Sequence, residues 1–331
     1  MTARALLLAI VSSVAAAPAL AQPSTAASAD TRLFAMQSNF WVNLHHFLYV
    51  TSRARRGLDA TRTAVTNALA DTAGFGVLTR QARTGWQAAV DHYAKTIAER
   101  DVVFDSTLGV AAASLSRLTS DQSPRGVAGV DSAMAHALEQ AAPAYRTAWW
   151  PRHDASNRAW IAAVRPLLVQ HGDSAAAWET RAFGVTWPRE PMRVDVTAYS
   201  NWAGAYTTAD PDRVTMASLN DDTKGTAAFE TLFHEVLHTM DRPLFERFRE
   251  AARARAKRMP RNPTHPFIFY TAGEVSRRLL RDHVPYAEAT GLWERSRDFG
   301  PMRALLQKHW QPWLDGTITL DEALRRIAAD L

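Results

Sequence analysis

Glu230-Thr231-Leu232-Phe233-His234-Glu235-Val236-Leu237-His238-Thr239-Met240-Asp241 carries His-Glu-x-x-His within a run that contains neither Pro nor Gly. Residues four apart on a helix stand one turn apart on one face, so His234 and His238 can offer imidazole nitrogens to a single ion. Glu235 leaves the helix from the adjacent edge. It is too far round to be an equal third ligand and well placed to act on a water molecule as general base. A helix of this kind lies in the middle of its domain, and Leu232, Phe233, Val236, Leu237, Thr239 and Met240 supply the uncharged surroundings it needs. The pattern predicts one zinc ion per chain.

A catalytic zinc takes three protein ligands, so the motif needs another residue. Glu274 is expected to be that ligand. It lies 274 − 238 = 36 residues downstream, in the stretch Phe267–Leu280 whose later part has helical spacing. A charge set among apolar neighbours is rare unless it is paired or ligated. His265 and Asp241 are the alternatives: His265 falls among Pro260, Pro263 and Pro266, and Asp241 is close to His238 on the same helix. Hydrolysis also needs a donor for the developing oxyanion. Tyr270, one turn before Glu274, is the nearest choice, followed by His283 and Tyr286. Glu230, one turn before His234, is placed to orient that imidazole from behind.

These residues resemble those of the gluzincin zinc metallopeptidases, the thermolysin-like clan, which carry His-Glu-x-x-His on one helix and a glutamate on a later one. The resemblance spans about Val194 to Leu280. It implies a strand-then-helix catalytic core in which His234, His238 and Glu274 are ligands and Glu235 is the general base, with a peptide or protein as substrate. The longer metzincin pattern is not met, because Asp241 and Leu244 stand where its glycine and third histidine belong.

Around this core the chain reads as mainly α with a small β-sheet (α+β). Its 331 residues contain no cysteine, so disulfides and thiolate chemistry are excluded and any metal must sit on His and carboxylate. Met1–Arg4 followed by the apolar run from Ala5 reads as a signal peptide cleaved after Ala21, which predicts an exported protein, periplasmic or secreted, with no stable membrane insertion. Residues 22–31 read as a disordered mature N-terminus. From Arg32 a helical spacing of Leu33, Met36, Phe40, Leu44, Phe47 and Leu48 runs towards Gly57 and holds the pair His45 and His46. Alanine-rich helices continue to about residue 185, giving a helical N-terminal region over 32–185 that shapes or walls the cleft. The zincin-like region follows over 186–331, with half-buried strands expected from Met192, over Trp202–Thr208 and over Arg213–Ser218. The last of these lies just upstream of the zinc helix and is expected to form the sheet edge along which an extended peptide pairs.

The formal net charge of +5 comes mostly from arginine and is too dispersed to indicate nucleic acid. These features predict a zinc-dependent peptidase. The alternatives are another zinc amidohydrolase, a catalytically silent zincin-fold binding protein of the cell envelope, or an anion-binding protein built on the arginine-rich segment 247–258.

Overall fold

The computed structural model describes residues 28–59, 63–71 and 76–331. Residues 1–21, read above as a signal peptide, and the segment that follows to residue 27 lie outside the described residues. The architecture is mainly helical with one mixed five-stranded sheet. Strands β1 (Ser28–Asp30), β2 (Phe34–Gln37), β3 (Met192–Thr197), β4 (Ala205–Thr208) and β5 (Arg213–Ala217) are ordered β1-β2-β3-β5-β4. Among the described residues no helix is long and apolar enough to cross a membrane.

Two expectations near the start of the chain are corrected here. Residues 28–30 pair antiparallel with β2 instead of belonging to a disordered segment. The stretch at 34–37, which the periodicity assigned to a helix, is a strand running parallel to β3 with Phe34 opposite Met192. A four-residue apolar alternation cannot be separated from a helix start by period alone. The helix α1 (Phe40–Arg55) begins only where the Asn39 side chain accepts the N–H groups of Trp41 and Val42 at 2.9 and 3.1 Å, an N-cap.

Helices α2 (Thr63–Asp71), α3 (Arg80–Thr96), α4 (Ser106–Leu115), α5 (Ser132–Ala148) and α6 (Trp150–Phe183) connect β2 to β3. With α1, helices α2 to α5 enclose one hydrophobic core; β2 and α6 join the other, built with the helix that carries the histidine motif. The cores therefore do not divide at residue 185. Both faces of the sheet are covered. Val194, Val196, Val214 and Met216 belong to the motif-helix core, whereas the intervening Asp195, Thr197, Arg213 and Thr215 are buried on the opposite face. There Asn43 of α1 donates to Val196 O at 3.2 Å and accepts from Ala198 N at 2.9 Å, and Asp195 pairs with Arg213. The strand β5 is buried throughout and β3 is buried except at Arg193, so these strands are not half-buried.

Within the wedge between α6 and the motif helix, Glu179 is completely buried, and neither carboxylate oxygen has a hydrogen-bond partner among the described residues. Burial, reinforced by the neighbouring Glu230, holds its carboxyl well above the usual range. A raised folded-state pKa means the native protein keeps a proton the unfolded chain has released, so this group lowers stability progressively as pH rises above the unfolded value. Glu179→Gln should therefore raise the melting temperature at pH 8 more than at pH 5, by roughly 2–4 °C per kcal/mol recovered. Thermal unfolding of both proteins at the two pH values checks this, and an equal shift at both would contradict it.

Candidate metal centre

Helix α7 (Thr226–Met240) lies against the sheet with His234 and Glu235 buried and His238 at its more open end. Two further helices complete the surroundings: α8 (Arg242–Ala254), and α9 (His265–Leu279), which returns along α7. At the junction three imidazoles converge. His234 Nε2 lies 3.2 Å from His238 Nε2 and 3.2 Å from His265 Nε2, and the ligand atoms of all three fall within 4.8 Å of one another. A tetrahedral zinc with Zn–N bonds of about 2.0–2.1 Å separates its ligand nitrogens by about 3.3 Å. Burial makes the rings neutral, the form that ligates: it holds His234 well below its ordinary value, helped by His238 and His265, and takes His238 down to about 4 and His265 to about 3. The donor set fits zinc.

The third histidine is His265, and the structure does not bring Glu274 to the other two. The helix explains why. His265 opens α9 with Pro266 in its first turn, a position where proline starts a helix instead of breaking one. Glu274 is nine residues further along the same helix, about 13 Å down the axis and half a turn round, so it cannot share a face with His265. Its buried carboxylate is met by Arg277 one turn on, at 2.5 Å. Asp241 is not a ligand either: it accepts the Thr264 hydroxyl at 2.7 Å and so ties the residue before His265 to the end of α7.

The oxyanion candidates also separate. Tyr270 donates its hydroxyl to Gln311 Oε1 at 2.8 Å, which turns it away from the histidines. His283 uses both ring nitrogens, Nδ1 with the Thr226 hydroxyl at 2.9 Å and Nε2 with Glu230 Oε2 at 2.6 Å. Glu230 thus faces His283, not His234, whose Nδ1 is buried without a partner among the described residues. Tyr286 is one ring removed from the histidines: its ring stacks on Phe269 at 6.0 Å and 13°, and Phe269 stacks on His265 at 4.7 Å and 18°. The pair His45 and His46 is remote from this chemistry. Both are buried in the helical core, with His45 Nδ1 3.0 Å from the Tyr93 hydroxyl and His46 Nε2 2.7 Å from that of Tyr206. Tyr206 and Thr207 point to opposite faces of β4, and it is Thr207 that meets the motif.

Thr207 carries no sequence signal and is the main residue that sequence reasoning missed. Its hydroxyl lies 2.7 Å from Glu235 Oε2 and 2.7 Å from the Glu235 carbonyl oxygen. Burial pushes the Glu235 carboxyl up to about 7, and the Thr207 hydrogen bond acts in the opposite direction. The sheet edge beside α7 is β4; β5, the expected edge, is flanked by β3 and β4.

His265 has an outer partner that sequence reasoning also missed. The Asn262 side-chain amide nitrogen lies 3.2 Å from His265 Nδ1, and a flip of the amide puts its oxygen in that place. With its oxygen turned to that nitrogen, Asn262 accepts the Nδ1 proton and leaves the Nε2 lone pair free for an ion, the usual support for a metal-ligating histidine. Asn262→Ala should weaken zinc binding about 10- to 100-fold, with Asn262→Asp restoring it. Competition against a chromophoric chelator reads the change.

Comparison with known protein families, curated proteins and solved structures returned no match.

Proposed function

We propose that this chain is a zinc-dependent hydrolase of amide bonds, acting on peptides or proteins, and that it works after export and removal of residues 1–21. The observation that carries the reading is the convergence of three neutral imidazoles, His238 and His265 each 3.2 Å from His234 and all three within 4.8 Å of one another, beside a buried carboxylate on the same helix. Zinc bound there supplies Lewis acidity, to a water molecule and to the carbonyl group under attack. The remaining work falls to the chain. Glu235 accepts the proton from the water through its carboxylate and returns it to the leaving nitrogen, serving in turn as base and acid. The Thr207 hydroxyl holds Oε2 of that carboxylate, so the geometry for proton transfer is set before substrate arrives.

The test is digestion of a complex peptide mixture by the zinc-loaded protein, with new termini read by mass spectrometry. New termini with the native protein and none with Glu235→Gln support the proposal. Zinc retention without any cleavage instead favours a silent zincin-like binding protein.

A further inference from the structure

The arginine-rich stretch divides, in three dimensions, into a part the fold uses and a part it leaves free. Arg247 pairs with Asp321 and Arg249 with Glu246, while Leu244, Phe248 and Ala252 turn the apolar face of α8 into the core. The helix then stops in a Schellman motif: Ala256 takes φ 53°, its N–H returns to Arg253 O at 3.0 Å and that of Lys257 to Ala252 O at 3.0 Å. Arg253 and Arg255 lie at this C-terminal end, where cations complement the helix dipole. Arg258 and Arg261 lie beyond it and gain nothing from the dipole.

No Asp or Glu occurs between Glu250 and Glu274, a span that contains His265. Arg258 and Arg261 are exposed, and among the described residues neither side chain makes an ion pair or hydrogen bond. Their loop is nonetheless held at both ends. Lys257 Nζ donates to Leu331 O at 2.8 Å at its start; at its end the Asn262 amide lies 3.2 Å from His265 Nδ1 and the Thr264 hydroxyl donates to Asp241 at 2.7 Å. Pro260 and Pro263 restrict the backbone between these ties. Four residues of chain span at most about 14 Å, so the Arg261 backbone stands no further than that from His265. On the other segment that reaches the histidines, Arg297 and Asp298 precede Phe299, whose ring is 5.2 Å from that of His265, and their charges cancel.

We infer that Arg258 and Arg261 are specificity-determining residues that bind acidic side chains of the substrate within about four residues of the bond that is cut, since an extended peptide advances about 3.3 Å per residue. The inference rests on the hydrolase reading above and adds the class of peptide it prefers. A lipid surface fits the loop less well: among the described residues no large apolar side chain is exposed beside these cations to enter a bilayer.

In the experiment, peptides that the zinc-loaded full mature chain cleaves are resynthesised in pairs, with Glu or with Gln near the cleaved bond and with amidated C-termini. The native protein should cleave the acidic member with a kcat/KM roughly two- to tenfold higher, the range for two exposed charge pairs, and high salt should bring the ratio towards one. Arg258→Gln combined with Arg261→Gln should retain zinc and the native melting temperature yet bring the ratio close to one. Arg80→Gln combined with Arg117→Gln, the same loss of charge from exposed positions in the helical region, should keep the native ratio. No preference in the native protein, a ratio unmoved in the loop variant, an equal fall in the control variant or a preference seen only with free C-termini overturns the inference while hydrolysis stands. Binding to phosphatidylglycerol vesicles that the loop variant loses while it keeps the native ratio also overturns it and assigns the arginines to a membrane. If the native protein generates no new termini, the hydrolase reading itself fails and takes this inference with it.

Discussion

His265→Ala is expected to strip zinc from the protein, whereas Glu274→Gln is expected to keep it. Elemental analysis after zinc repletion and desalting should find about one zinc per chain in the native protein and in Glu274→Gln, and close to none in His265→Ala. The physical basis is coordination number. Without His265, two imidazoles one turn apart on α7 remain, and the loss of affinity should exceed the roughly 100-fold that removing an outer partner produces. Glu274, by contrast, is held by Arg277 at 2.5 Å, and the arginine side chain is half exposed. Breaking that pair should cost about 1 kcal/mol or less and leave the imidazole cluster intact. The opposite pattern, zinc lost with Glu274→Gln and kept with His265→Ala, would restore the gluzincin ligand set.

The contrast between these two residues shows where the sequence was legible and where it was not. The motif on α7 was readable because both histidines and the glutamate lie within one turn and a half of a single helix, so local geometry alone places them. The third ligand depends on how α9 docks against α7. The prolines around His265 hide the helix it opens, although a proline in the first turn marks a helix start, and the Glu274–Arg277 spacing of three is a visible hint that the carboxylate already has a partner. The strand order had no local signal. β4 reaches the edge only because β3 and β5 pair in parallel across it, and Thr207 gains its place beside Glu235 from that pairing. The burial of Asp195 and Arg213 was hidden for a similar reason: the alternation reports one apolar face, and only the packing of α1 shows that the other face is covered as well. The mainly helical class with a small sheet followed from composition and spacing, since long alanine-rich runs with capping residues such as Asp105 and Asp131 specify helices locally.

Glu235→Gln should abolish most hydrolysis while zinc content stays at the native level, with kcat falling by about 10²- to 10⁴-fold, the usual contribution of a general acid–base group. Gln preserves shape and still offers an oxygen to the Thr207 hydroxyl, so the loss reports the missing proton acceptor and not a collapsed site. The same substitution should have the opposite effect on stability. Burial raises the Glu235 carboxyl from 4.5 to about 7, so in the metal-free protein the folded state binds a proton that the unfolded state has released. The stabilising contribution of the protonated group is complete below the unfolded value and disappears as pH rises through about 7. Above that pH the ionised carboxylate lowers the stability of the metal-free fold by something on the order of 3 kcal/mol, at 1.36 kcal/mol per unit, and Glu235→Gln should recover much of it. Denaturant unfolding of metal-free native and variant proteins at pH 5 and pH 8.5 measures the difference: little at the lower pH, a clear gain for the variant at the higher. Zinc should narrow that gap, because a cation beside Glu235 favours its ionised form. A gap that ignores zinc would mean that the carboxylate does not face the metal, and the proton-transfer role given to Glu235 would fall with it.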